Sequence, residues 1–450
     1  MEKLKFTVLK DWIDALLRRD HLSPSLRGKA TSAAIEAMTR PAKERLRVGC
    51  DILMTRIGDA SRVAVAEQAL NAYSELTDHD KIEFFRMLRD EYGINSDAVR
   101  TAYREWEDLG GPDSVASLFR VTEPRRQILL RRLNTTSNAT LRLVRMREDL
   151  LSAVRKEPSL AAIDEDFSHL FGSWFNRGFL KMRRIDWNSS AAILEKIMRY
   201  ESVHSMDGWE DIRRRLDPRD RRLYAFFHPA TGDEPLIFVE VALTKGVPST
   251  IAEILNTPAA LDPEEADTAV FYSINNCLPG LKGVSFGNFL IKQVVAELSS
   301  ESENLKQFVT LSPMPGFVKW LGKQKDEKII ALAERLENGV WLDDPSLTEA
   351  MRSEVIALAA RYIVTERNSA GVPLDPVARF HLGNGACAWR INWPADLSSI
   401  ALEKAGGLMI NYLYDPAALE MQHEIYIRDG TVAHSKMLAE CLVLKEEIFA

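Results

Sequence analysis

The residue types that could carry out chemistry are concentrated between positions 268 and 317 of this 450-residue chain. The apolar, β-branched run 268–277 predicts a buried strand, and apolar residues at helical spacing from Asn288 onward predict a helix. The segment between them contains Gly280, Gly283 and Gly287. A glycine loop that leads into a helix offers free backbone N–H groups and the positive end of the helix dipole, which is typical of phosphate binding.

The loop by itself also fits an ordinary turn, because its glycines match neither the phosphate loop of nucleotide-hydrolysing enzymes nor the dinucleotide-binding fingerprint. A second predicted strand, 308–312, ends at Ser312, next to Pro313. That serine would lie beside a ligand in the loop, although a serine before proline is also a common turn former. His381, in a turn rich in Gly and Asn, suits either proton transfer or a structural hydrogen bond. The residues alone leave these alternatives open.

The elements that must position these residues fall into two parts. Residues 1–175 predict helix after helix with almost no strand-like alternation, which indicates a helical bundle domain that packs on itself or on another subunit. Charged runs in this part, such as 142–147, are typical of solvated helix faces. Residues 176–450 predict an α+β domain, with a strand at 180–186 and a hairpin at 222–243 before the strand at 268. A turn and strand at 379–393 and an extended piece at 406–414 follow.

The composition describes an ordinary globular protein, with 46% apolar and 27% charged residues. A net charge of −7 argues against a nucleic-acid-binding surface. We find no apolar run long enough to span a membrane and no targeting signature, so we expect a cytoplasmic location without membrane association. The four cysteines are scattered, which predicts reduced thiols, and no spacing of His or Cys indicates a metal site.

Four motifs resemble the malonyl-CoA decarboxylase family, in the same order and over nearly the full length of the chain. They are FYSINNCLPGLKGVSFGNFLIKQVV (271–295), LSPMPGFVKWL (311–321), FHLGNGACAWRINW (380–393) and GGLMINYLY (406–414). The resemblance implies an N-terminal helical domain followed by a catalytic domain similar to the GNAT-type N-acetyltransferase fold. In that fold coenzyme A lies where two central strands splay apart.

The resemblance also implies roles for individual residues. Ser312 matches the catalytic serine, described as proton acceptor, and His381 matches the catalytic histidine, described as proton donor. Tyr414 matches a tyrosine that supports the site, where the residues alone indicate only a strand aromatic. The resemblance implies that Ser312 and His381 also bind malonyl-CoA. They would do so together with a segment that consists of Lys282, Gly283, Val284, Ser285, Phe286, Gly287 and Asn288. Ser285 departs from animal members, which carry an acidic residue there.

The implied activity, in fatty acid metabolism, is conversion of malonyl-CoA into acetyl-CoA and CO2 through a thioester enolate, with no metal or other cofactor. A backbone N–H near residues 275–277 would stabilise the enolate oxygen. His381 would protonate carbon, a role for which we expect a pKa near the working pH. Relatives form tetramers, so a homotetramer is expected. The alternatives are an acyl-CoA-dependent N-acyltransferase on the same fold and a non-catalytic sensor or scaffold. An assay with malonyl-CoA and no acceptor separates them.

Overall fold

The computed structural model describes residues 40–256, 261–284 and 289–448. The chain divides into two compact units. The first contains the described residues through Phe179 together with two later segments, 228–232 and 278–284, and the second contains the other described residues. None of the helices within these described ranges is long and apolar enough to cross a membrane.

The first unit is helical, which confirms the prediction for its described residues; the prediction for residues 1–39 lies outside them. Side-chain caps mark two of the helix starts, because Thr77 accepts a hydrogen bond from Asp80 N and Asn95 accepts from Asp97 N. The α-helices are Ala42–Leu53, Asp59–Ser74, Asp78–Asp90, Ser96–Leu109, Pro112–Thr122, Arg125–Leu133, Ala139–Lys156 and Ala161–Trp174.

Arg147 corrects the prediction that the charged run 142–147 is a solvated helix face, because only 2% of this residue is exposed. Its guanidinium donates to Asp164 Oδ1 at 2.7 Å and Ser168 Oγ at 2.6 Å, and to the carbonyl oxygens of Gly280 at 2.8 Å and Lys282 at 2.9 Å. A buried guanidinium is stable only when its donors are satisfied in this way. Periodicity could not reveal a partner 133 residues away in the chain.

The second unit is built on an eight-stranded sheet in its described residues. The strands are β1 (Lys181–Ile185), β2 (Arg221–Phe227), β3 (Pro235–Thr244), β4 (Thr268–Asn276), β5 (Gln307–Thr310), β6 (Ser312–Pro313), β7 (Cys387–Asn392) and β8 (Met409–Leu413). Their order is β1-β2-β3-β4-β5-β8-β6, and β7 also pairs with β8. The pairs are antiparallel except β4–β5, which is parallel. The predicted hairpin and the α+β class are confirmed.

Helices lie between most of these strands along the chain, although no α-helix separates β2 from β3 or β5 from β6. The α-helices are Ala191–Tyr200, Trp209–Leu216, Ala252–Leu255, Phe289–Glu301, Phe317–Leu321, Glu327–Glu337, Pro345–Val364, Pro376–Gly383, Ser399–Ala405, Leu419–Asp429 and Lys436–Ile448. Apolar side chains from the sheet form a core cluster that includes Val270, Tyr272, Val309, Leu311 and Met409, each at most 1% exposed. Burial of such apolar surface contributes about 25 cal/mol per Å² to stability.

The predicted strand 308–312 is wrong in one respect, because it is broken at Leu311. β4 and β5 pair in parallel only as far as Phe271 and Thr310, and Leu311 N then donates to Phe271 O at 2.9 Å. Beyond this bond β4 continues along β3 to Asn276, whereas Ser312 pairs with Ile410 of β8. The two central strands therefore diverge at Ser312, which is the splay that the resemblance predicted.

Substitution of Gly280 can test how tightly the segment 278–284 is packed in the first unit. A Cβ added to Gly280 would lie 2.0 Å from the carbonyl oxygen of Val144. We therefore expect Gly280→Ala to lower the free energy of unfolding by about 1–3 kcal/mol, the usual cost of overpacking. Gly172→Ala is the matched control, because its added Cβ meets no atom within 4 Å in a helix, so it should leave stability unchanged or raise it by up to about 1 kcal/mol. Equal effects in urea denaturation would contradict this packing.

Candidate active site

A short helix, Pro376–Gly383, carries His381 in its last turn. Asp375 caps the start of this helix, accepting from Val377 N at 2.9 Å and Ala378 N at 2.8 Å. The chain leaves the helix through Gly385, whose φ is +82° and whose added Cβ would lie 2.1 Å from Leu419 O. Only glycine fits this conformation and this close approach. The glycine turn seen in the sequence thus places His381 in a fixed position before β7.

Three residues named from the sequence come together in the second unit. Ser312 Oγ lies 3.1 Å from His381 Nε2, and His381 Nδ1 lies 2.8 Å from Tyr414 Oη. All three residues are buried. The ring of Tyr412 stacks on the imidazole, with centroids 4.6 Å apart and planes inclined by 23°. The structure thus joins Ser312 of β6, the helix of His381 and Tyr414, the residue after β8, in one hydrogen-bonded chain.

Thr310 extends this chain and was missed in the sequence. Ser312 Oγ donates to Thr310 Oγ1 at 2.9 Å, and Thr310 Oγ1 also accepts from Tyr412 N at 3.0 Å. The only signal that could have found Thr310 is its position two residues before Ser312, which places both side chains on the same side of an extended chain.

Burial lowers the pKa of His381 to about 3. The expectation of a pKa near the working pH is therefore wrong for this environment. Desolvation disfavours the charged imidazolium, and both ring nitrogens face hydroxyl groups rather than carboxylates. The imidazole is neutral at physiological pH, so one ring nitrogen donates and the other accepts.

The tautomer follows from Tyr414. Burial raises the pKa of its phenol well above its ordinary value, so the hydroxyl keeps its proton and needs an acceptor. Within the described residues His381 Nδ1 is the hydrogen-bond partner of Tyr414 Oη. If the phenol donates to Nδ1, then Nε2–H donates to Ser312 Oγ and the Ser312 hydroxyl donates to Thr310. We infer one direction for the whole chain, from Tyr414 through His381 and Ser312 to Thr310.

Ser312 and His381 open onto a pocket of about 260 Å³. It lies where β4 and β6 diverge, and Phe271, Ile274 and Asn276 of β4 line one side of it. The other lining residues are mostly apolar, and among the described residues that line it none is a lysine, arginine, aspartate or glutamate. The described residues also contain no group of three or more His, Cys, Asp or Glu arranged to hold a metal ion.

The predicted binding segment is only partly described. Lys282 is exposed, Gly283 has φ of +79°, and Val284 is 8% exposed; all three belong to the helical unit. Ser285, Phe286, Gly287 and Asn288 lie outside the described residues. Lys292, which would add positive charge next to the loop, forms an ion pair with Glu420 at 2.5 Å. The binding role of residues 282–288 stays a prediction.

Comparisons with known families and curated proteins agree on one family. The model of the malonyl-CoA decarboxylase C-terminal domain matches residues 178–448, and that of the N-terminal domain matches residues 92–175. The mitochondrial malonyl-CoA decarboxylase of Anser anser anser is 35% identical over 324 residues, covering 65% of this chain and 64% of that protein. The Mus musculus protein of the same name is 36% identical, covering 65% of each. The matched region thus spans just under two thirds of these curated relatives.

Solved structures give the same result. The malonyl-CoA decarboxylase from Rhodopseudomonas palustris is 44% identical with a TM-score of 0.85, covering 88% of this chain and 99% of that chain. The malonyl-CoA decarboxylase from Agrobacterium vitis is 45% identical with a TM-score of 0.83, covering 89% and 99%.

The neutral state of His381 can be tested by NMR. With a pKa of about 3, the imidazole signal assigned through its loss in His381→Gln should not titrate between pH 5 and pH 8. In urea-unfolded protein it should titrate near pH 6.5. The unfolded chain then binds the proton first as pH falls, so this residue makes the folded protein less stable from about pH 6.5 downward, by about 1.4 kcal/mol per pH unit. A titration near pH 6.5 in the folded protein would refute the assignment.

Proposed function

This chain belongs to the malonyl-CoA decarboxylase family, and from that premise we propose that it converts malonyl-CoA into acetyl-CoA and CO2. The observation that supports this most directly is the chain of hydrogen bonds Tyr414–His381–Ser312, which opens onto a pocket between diverging strands whose described lining residues carry no charge. The three residues are those that the resemblance named as catalytic or supporting, and their roles are part of the proposal.

The reaction needs no oxidant or reductant. The bond between the carboxylate carbon and C2 breaks, its electron pair forms the thioester enolate, and C2 then takes up one proton. An uncharged pocket favours the first step, because a carboxylate held there loses its hydration while its charge spreads onto the thioester. The thioester itself accepts the electrons, so the chemistry calls for no cofactor beyond the coenzyme A of the substrate.

The enolate oxygen requires a hydrogen-bond donor, which we expect near residues 275–277. Cys277 N cannot serve, because it donates to Leu236 O of β3 at 2.9 Å. Backbone N–H groups alternate along a strand, so Asn276 N–H points to the opposite edge of β4, where β5 no longer pairs with β4. Asn276 also lines the pocket. We therefore assign the donor to Asn276 N–H, which should contribute about 3–4 kcal/mol to transition-state stabilisation.

Ser312 and His381 supply the proton to C2. The Ser312 hydroxyl gives up its proton, His381 Nε2–H replaces it, and Tyr414 returns a proton to Nδ1, so the imidazole stays neutral throughout. Because Tyr414 is fully buried, we propose that a solvent proton enters at Ser312 after the product has left, and that the relay then runs in reverse and restores the phenol. With this relay, proton transfer to C2 does not require His381 to be charged in the free enzyme.

The helical unit and the glycine loop have separate proposed roles. We propose that residues 282–288 bind the pyrophosphate of coenzyme A, with Lys282 as the cation, and that Ser312 and His381 contact the acyl end. We also retain the proposals that residues 1–175 form an oligomerisation domain, that residues 176–450 form the catalytic domain, and that the chain assembles as a homotetramer. These assignments rest on the motifs and on the helical character of the first unit.

Turnover assays test the catalytic roles. Incubation of the purified protein with malonyl-CoA and no acceptor should release CO2 and acetyl-CoA in equal amounts. We expect Ser312→Ala and His381→Gln each to lower kcat by about 10²–10⁴-fold, the usual contribution of positioned proton transfer, with acetyl-CoA affinity nearly unchanged. Ser299→Ala, at an exposed position whose hydroxyl bonds within its own helix, is the matched control. Wild-type turnover in both active-site variants would refute these roles.

Binding assays test the phosphate assignment. Lys282→Ala should weaken acetyl-CoA binding by about 3–10-fold at low salt and less at high salt, because salt screens an exposed charge. Lys43→Ala removes an equally exposed lysine of the same unit and should leave affinity unchanged. Unchanged affinity in both variants by calorimetry would exclude Lys282 as the phosphate contact.

A further inference from the structure

A buried carboxylate that is not part of the proposed reaction holds one wall of the pocket. Glu201, 8% exposed, follows the helix Ala191–Tyr200. Its Oε1 accepts hydrogen bonds from the backbone N–H groups of Val203 and His204, both at 2.8 Å. Its Oε2 accepts from Ser273 Oγ at 2.8 Å and from Asn275 Nδ2 at 2.7 Å. One side chain therefore closes the turn 201–204 and attaches it to β4.

Asn275 completes the attachment from the opposite direction. This residue is 1% exposed, and its Oδ1 accepts from Ser202 N at 3.0 Å and from Ser202 Oγ at 2.7 Å. The Glu201 side chain of the turn thus bonds to side chains of β4, and the Asn275 side chain of β4 bonds to Ser202 of the turn. Four donors satisfy the Glu201 carboxylate, which is how a buried anion is stabilised without a cation in direct contact.

A third residue fixes the far end of the turn. Arg215, 6% exposed, donates from Nη2 to His204 O at 2.7 Å and from Nη1 to Glu240 Oε2 at 3.1 Å. Glu201 and Asn275 therefore accept from the N–H groups of residues 202–204, and Arg215 donates to the carbonyl of His204. A turn with so many satisfied polar groups has one well-defined conformation.

The turn matters because Val203 lines the same pocket as Ser312 and His381. Ile274 and Asn276, the neighbours of Asn275 on β4, line it as well. The attachment between Glu201 and Asn275 thus fixes the distance between two walls of a pocket of about 260 Å³. A single methyl group more or less in such a pocket changes discrimination by about 10–200-fold.

We propose that Glu201 and Asn275 are positioning residues, and that the Val203 wall they hold determines which substituents on C2 of the acyl group are accepted, favouring malonyl over methylmalonyl thioesters. The substrate class rests on the proposed function. The wall itself rests on the hydrogen bonds and on the pocket.

A reciprocal exchange of donor and acceptor tests the attachment. Glu201→Gln alone sets two amide N–H groups against each other, and Asn275→Asp alone sets two carboxylates against each other. The double variant E201Q/N275D restores one donor facing one acceptor and keeps the acceptors for the backbone of the turn. We expect each single variant to reduce the ratio of kcat/KM for malonyl-CoA to that for methylmalonyl-CoA by at least tenfold, and the double variant to recover most of it.

Two further variants keep the test decisive. Glu301→Gln disrupts the contact with Arg222 outside the pocket and should change stability but not the ratio. Val203→Ala leaves the hydrogen bonds intact, so it should fold even if the single variants do not, and should lower the ratio by at least tenfold. Wild-type selectivity in Val203→Ala, or a double variant no better than either folded single variant, would overturn the proposal.

A binding readout separates this proposal from the proposed function. Calorimetry with acetyl-CoA and isobutyryl-CoA reports the same wall without any turnover. If the wild-type protein releases no CO2 but prefers acetyl-CoA, and Val203→Ala reduces that preference at least tenfold, the proposed reaction fails while the wall is supported. If the preference is the same in Val203→Ala, the wall is refuted whatever the reaction.

Discussion

The candidate site depends on the point at which β4 and β5 stop pairing. Leu311 N makes the last hydrogen bond to β4, and Ser312 is already paired with β8. Such a break would leave backbone groups unsatisfied unless others replaced the lost partners. Here Asn411 Nδ2 donates to Thr310 O at 2.7 Å and Tyr412 N donates to Thr310 Oγ1 at 3.0 Å. β8 thus stabilises the divergence that creates the pocket.

Charge is the second constraint on the site. The catalytic candidates are linked by neutral hydroxyl and imidazole groups, whereas the carboxyl groups of Glu201 and Glu240 lie in a separate buried network with Arg215. Burial keeps the imidazole of His381 neutral. In the proposed reaction the charge therefore arrives with the substrate, and a pocket whose described lining is uncharged favours redistribution of that charge onto the thioester.

Residues 278–284, which follow β4 in the chain, belong to the helical unit. Arg147 binds the carbonyls of Gly280 and Lys282, and Gly280 packs so closely against Val144 that no side chain fits. The start of the predicted binding segment therefore receives its conformation from helices that precede it by more than a hundred residues. Domain boundaries drawn at a single position in the sequence therefore miss that residues 278–284 belong to the helical unit.

Much of the fold could be predicted from the sequence because its signals are local. The apolar runs of the hairpin and of β4, the helical spacing from residue 289 and the glycine turn after His381 each depend on neighbouring residues, and the structure has these elements. The motifs also named Ser312, His381 and Tyr414 together. The break at Leu311, the burial of Arg147, the lowered pKa of His381 and the pairing of Glu201 with Asn275 were not predictable in this way. Each arises from groups distant in the chain, such as the 69 residues between Ser312 and His381, and desolvation and hydrogen bonding act only once packing has brought such groups together.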